Sequence, residues 1–81
     1  MSECLVTFSS THYALKAEKV LKENRLQVVP MPVPREISSS CGLCLSFDCR
    51  LKESVVEALK KKGVEVEGIY LREEGGVKRS S

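Results

Sequence analysis

The residues best suited to chemistry in this sequence are its four cysteines, Cys4, Cys41, Cys44 and Cys49. A cysteine reacts as its thiolate, and its surroundings decide how much thiolate there is. Cys41 follows a run of three serines and precedes Gly42, a residue that permits a sharp turn and leaves the sulfur open to a partner. Cys41-Gly42-Leu43-Cys44 is formally a C-x-x-C. In redox proteins that motif starts a helix whose dipole stabilises the first thiolate. Here Cys44 falls inside an alternating strand pattern, which weakens a redox pair with Cys44 as resolving thiol. A zinc site would want a second closely spaced pair, and Cys4, Cys49 and His12 offer none, so no metal is expected. No Ser/His/Asp order, glycine-rich phosphate loop or paired-carboxylate signal stands out, and no cofactor is expected.

Composition narrows the setting. The chain has 81 residues, too few for two independent cores, with 42% hydrophobic and 30% charged residues. Only four aromatics are present and no Trp, so Val, Leu and Ile must build the core. The net charge of +2 has acids and bases interleaved, without the one-sided basic excess of a nucleic-acid binder. The apolar runs fall far short of the ~20 residues of a membrane span. Met-Ser-Glu-Cys-Leu-Val lacks the features of a signal peptide, which places the protein in the cytoplasm. There the cysteines are expected as reduced thiols, with no structural disulfide framework.

The elements that must position these thiols follow from periodicity. Cys4, Val6 and Phe8 alternate with Leu5 and Thr7, as a strand would. Ser9, Ser10 and Thr11 are good helix caps, and Ala14, Ala17, Val20 and Leu21 give a helical stripe over about 11–24. Leu26 to Val33 reads as a second strand interrupted by Pro30 and Pro32, with Pro34 just beyond; such a strand belongs at a sheet edge. Leu43, Leu45 and Phe47 mark a third strand. Asp48 can cap a second helix over about 49–62, with Lys60–Lys62 complementing its C-terminal dipole and Gly63 stopping it. Val64 to Leu71 reads as a fourth strand, bulged at Gly68.

The order β-α-β-β-α-β closes most simply as an α+β, ferredoxin-like sandwich with both helices on one face of a four-stranded antiparallel sheet. Its strand order, 4-1-3-2, puts the proline-bearing strand at an edge. One domain is expected over 1–72, with 73–81 a flexible C-terminal tail. Following the chain direction, Cys41 lies at the end of the sheet where the first helix begins, beside Ser10, Thr11 and His12. Free amides, positive dipole and Arg35 there favour a thiolate. The plainer reading is a small buried apolar residue. Cys4 and Cys49 fall together at the opposite end and are expected only to pack. His12 is either an electrostatic neighbour of Cys41 or a solvated surface histidine. Leu5, Thr7, Cys44 and Ser46 should line the helix-free face, open to solvent or a second copy.

The stretch Met31-Pro-Val-Pro-Arg-Glu-Ile-Ser-Ser-Ser-Cys-Gly42 resembles the signature of a family of small bacterial proteins described as Se/S carrier-like. The likeness extends over nearly the whole chain, including Phe8-Ser-Ser-Thr-His12. It implies that Cys41 is the carrier thiol, with Pro34, Arg35, Ser38 and Gly42 matching the surrounding motif; Cys44 is a departure from it. Sulfur or selenium donor and acceptor proteins would then be the partners of a monomer or homodimer that is a carrier more than an enzyme. Two other readings stand beside it: a thiol–disulfide redox protein using Cys41 and Cys44, and a binding or regulatory module, since folds host many functions.

Overall fold

A computed structural model describes residues 2–39 and 41–79. Met1, Ser40 of the serine run and Ser80 and Ser81 of the expected tail lie outside the described residues. Strand β1 (Glu3–Thr7) leads into helix α1 (Thr11–Glu23). Ser10 caps this helix, its Oγ accepting from the Tyr13 amide at 3.4 Å. At the other end the Leu26 amide donates to the Leu21 carbonyl and the Arg25 amide to that of Lys22, both at 2.9 Å. That is a Schellman closure, with Arg25 in the left-handed position at φ 60° where glycine is usual. Helix α2 (Lys52–Lys61) closes in the same way with the expected Gly63, at φ 68°. A 3-10 turn over Cys49–Leu51 precedes α2 and is capped by Asp48, whose Oδ1 accepts from the Arg50 amide at 2.9 Å.

Strand β2 (Val29–Pro32) is an edge strand, paired antiparallel to β3 (Leu43–Asp48). The Val33 amide, just past β2, donates to Gly42 at 3.0 Å. Odd-numbered amides therefore face β3, and Pro30 and Pro32 turn their donorless nitrogens outward, as the edge argument requires. The strand is shorter than the expected 26–33.

Among the described residues the sheet has five strands, not four: β4 (Gly68–Glu73) is followed by β5 (Gly76–Arg79), and the order is β2-β3-β1-β4-β5, antiparallel throughout. The first four stand in the expected order, and the fifth comes from residues read as tail. A turn at Glu74-Gly75 reverses the chain, Val77 packs on the sheet and the Arg79 guanidinium lies 5.9 Å from the Tyr70 ring centroid. One apolar residue among charges and glycines is too faint an alternation to announce a strand. Gly68 begins β4 in register with Thr7. A Cβ there would come within 3.0 Å of the Tyr70 ring, and the pairing with β1 runs on from Gly68 without a bulge.

Cys4, Val6, Leu45, Phe47 and Ile69 form one core with Ala14, Ala17, Val20 and Leu21 of α1 and Val55, Ala58 and Leu59 of α2. Both helices thus cover the same face. The second face is covered by the chain itself. Leu5, Thr7 and Cys44 are fully buried there and Ser46 nearly so. Ile37, from the loop after β2, lies on Leu5 and Cys44, flanked by Met31, Val33, Tyr70 and Val77. The β4–β5 hairpin and this loop supply the cover.

A disulfide joins Cys4 and Cys49, with Cα atoms 5.0 Å apart. The expectation that these cysteines are reduced and merely pack is corrected. Register puts Cys4 opposite Phe47, and the turn after Asp48 returns Cys49 toward it, inside the span a disulfide bridges.

Candidate functional site

The sulfur of Cys41 sits where β3 is about to begin. It accepts from the Leu43 amide at 3.3 Å and lies 3.6 Å from Oγ1 of Thr11, the first residue of α1. The topology has therefore carried Cys41 to the start of α1, the dipole-positive end of the helix. Both contacts suit a sulfur bearing negative charge, one through an N–H and the other through a hydroxyl that can turn to donate. The Cys41 amide donates to Ser39 Oγ at 3.3 Å, and Ser39 donates to Glu67 Oε1 at 2.6 Å. The Glu67 amide is itself fixed to the Thr7 carbonyl at 2.8 Å. Cys41 is thus held by backbone and side-chain bonds reaching β1 and the start of β4.

Access departs from expectation. Cys41 is 3% exposed and belongs to the helix-side core, so the sulfur is not open to solvent. Glycine at 42 gives a turn, but the side chain of Cys41 turns inward. Gly42 itself is exposed, and a Cβ placed on it would have nothing within 4 Å. The surface over Gly42 is therefore uncluttered.

The other expected residues are spread around this point. Ser10 serves α1 as its cap. His12 is exposed, edge-on to the Tyr13 ring at 5.6 Å. Arg35 and Ser38 are exposed on the loop that carries Ile37. Among the described residues the polar contacts of Cys41 are to Thr11, Ser39 and Leu43, with no cation among them. Ser39 and Glu67 were missed. The serine run marks a polar loop, but only the fold shows which serine meets the Cys41 amide, and nothing local pairs it with a glutamate so far along the chain.

Cys44 occupies a different environment. It points to the second face, against Leu5 and Ile37, while Cys41 belongs to the helix-side core. Its Sγ donates weakly to the Pro32 carbonyl at 3.9 Å. Burial, then the nearby Glu3 carboxylate, pushes its pKa up to about 11, so Cys44 stays a protonated thiol at neutral pH. The Ser46 hydroxyl donates to Glu3 Oε2 on the same face. Among the described residues no three His, Cys, Asp or Glu side chains come together as metal ligands would, and no helix is long and apolar enough to cross a membrane.

Comparison with known proteins gives the chain a family. A family model described as "Putative Se/S carrier protein-like" matches residues 3–71, from the first residue of β1 into β4. The chain belongs to that family. No curated protein and no solved structure matches the chain.

Proposed function

We propose that this member of the Se/S carrier-like family carries sulfur or selenium on the Cys41 thiol, taking it from one protein and handing it to another. The observation that carries the reading is the seat of Cys41: its sulfur accepts the Leu43 N–H at 3.3 Å beside Thr11 at the start of α1. Loading is a thiol exchange. The Cys41 thiolate attacks the outer sulfur of a donor persulfide, a new S–S bond forms at Cys41, the donor's S–S bond breaks and the donor leaves as thiolate. No net oxidation occurs, and unloading is the same step with an acceptor thiolate attacking the outer sulfur.

The persulfide so formed is anionic at neutral pH. The N–H and hydroxyl donors at Cys41, with the dipole of α1, suit that charge. The partners are accordingly a persulfide- or perselenide-bearing donor and a thiol-bearing acceptor. The burial of Cys41 would keep the loaded atom from stray reductants until a partner opens the turn at Gly42. The separation of Cys41 and Cys44 into cores on opposite sides of the sheet speaks for the carrier over a Cys41–Cys44 redox couple. The test is sulfide release by dithiothreitol from each single Cys→Ser variant after exposure to a small-molecule persulfide. Release is expected from Cys44→Ser, Cys4→Ser and Cys49→Ser and lost in Cys41→Ser. Equal release from all four variants would sink the reading.

A further inference from the structure

At the end of β1 away from Cys41 sits a second pair of sulfurs, the Cys4–Cys49 disulfide. Its two halves differ in access. Cys4 is 2% exposed within the helix-side core. Cys49 is half-buried and lines a surface cleft with Ser2, Asp48 and Arg50. Of the two residues, Cys49 is the one that meets the surface, and it is the one an external thiolate would reach first. Neither sulfur depends on the bond for its place. Cys4 lies in the middle strand of the sheet, opposite Phe47 on one side and Leu71 on the other. The Cys49 amide donates to the Ser2 carbonyl at 3.2 Å, and the turn it opens is capped by Asp48. With the bond open, ladder and cap still hold the two thiols close enough to join again. A staple on otherwise loose ends would lack this.

We propose that Cys4–Cys49 is a second sulfur site, a reversible dithiol–disulfide couple that exchanges with external dithiols through Cys49 and independently of Cys41. One thiolate of a dithiol reductant attacks Cys49 Sγ. A mixed disulfide forms, the bond to Cys4 breaks, and Cys4 leaves as a thiolate that takes a proton. The reductant's second thiolate then attacks its own sulfur in the mixed disulfide, closing the oxidised reductant and releasing Cys49. Two electrons pass from the reductant to the protein disulfide. This site goes beyond the carrier reading and stands or falls apart from it.

The experiment equilibrates the full chain in mixtures of reduced and oxidised dithiothreitol, quenches with acid, alkylates, and locates the label by peptide mass spectrometry. Cys4 and Cys49 are expected to become labelled together at one midpoint, with the far-UV circular dichroism of the reduced chain retained and the bond restored on reoxidation. The same midpoint is expected in Cys41→Ser. Reduction that occurs only as the circular dichroism is lost would overturn the proposal and make the bond a structural staple. A second arm exposes Cys4→Ala and Cys49→Ala to glutathione disulfide. Cys49 should form its mixed disulfide at least about tenfold faster than Cys4, following access; equal or reversed rates would overturn the assigned direction. Should a variant fail to fold, the titration of the unsubstituted chain decides alone.

Discussion

Replacing Cys49 by serine tests how much of the stability rests on one covalent link. The bond closes a segment with a sequence separation of 45. In the chain-entropy treatment such a link removes about 13 cal/mol/K from the unfolded chain, or about 4 kcal/mol at 25 °C. A domain of 81 residues has a total stability of roughly 4–12 kcal/mol, so the loss is a large share of the whole. Cys49 is the better position to change, since serine at the buried Cys4 would add the cost of an enclosed hydroxyl. At roughly 4–8 °C per kcal/mol for a domain of this size, the thermal midpoint should fall by roughly 15–30 °C. Urea unfolding followed by circular dichroism reads the effect directly. Oxidised and reduced chains should differ by the same amount, and the reduced chain should show the steeper denaturant dependence of a more expanded unfolded state. A difference below about 1 kcal/mol would refute the reasoning, because the unfolded chain would then already hold these ends together.

Three further outcomes follow from the packing. Cys44 should resist alkylation in the folded chain until the pH approaches 11, the value to which burial and then Glu3 raise it. Because the folded state holds that proton longer than the unfolded chain, stability should fall as pH rises from the ordinary thiol range toward 11, on the order of 2–3 kcal/mol; comparison with Cys44→Ala isolates this part of the pH slope. Ser39→Ala leaves the Cys41 amide and Glu67 without the hydroxyl between them, and should cost about 1–2 kcal/mol while speeding alkylation of Cys41 in a timed mass-spectrometric assay. Arg25→Gly should raise stability by about 0.5–1 kcal/mol in denaturant melts by relieving the left-handed backbone at φ 60°.

Much of this architecture is legible in the residues because periodicity and caps act locally. Ser10 and Gly63 mark the helix ends they form, Asp48 caps the 3-10 turn that precedes α2 and not α2 itself, and Pro30 and Pro32 mark the strand that must lie at an edge. Chain direction through the sheet then brings Cys41 to Thr11. What escaped depends on contacts between distant segments. Ile37 is one apolar residue in a polar loop, and only the folded chain shows that it covers Leu5 and Cys44. The expectation of an open second face failed for that reason. Strand β5 rests on Val77 and on Arg79 over Tyr70, cross-strand contacts with no local signature. Chain direction puts Cys4 and Cys49 at one end of the sheet, but their bonding follows from a ladder register that no local pattern encodes, and a reducing compartment would favour free thiols. The inward turn of Cys41 is likewise decided by packing under α1, not by the glycine that follows it.

The central claim is that Cys41 is the atom-carrying thiol. Its most direct test is peptide-resolved mass spectrometry of the unsubstituted chain after anaerobic exposure to a persulfide donor. The account predicts an added sulfur confined to the peptide containing Cys41, with Cys44 unmodified and Cys4 and Cys49 bearing no sulfane adduct. Added sulfur on another cysteine, a two-hydrogen loss joining Cys41 to Cys44, or an unchanged Cys41 would contradict it.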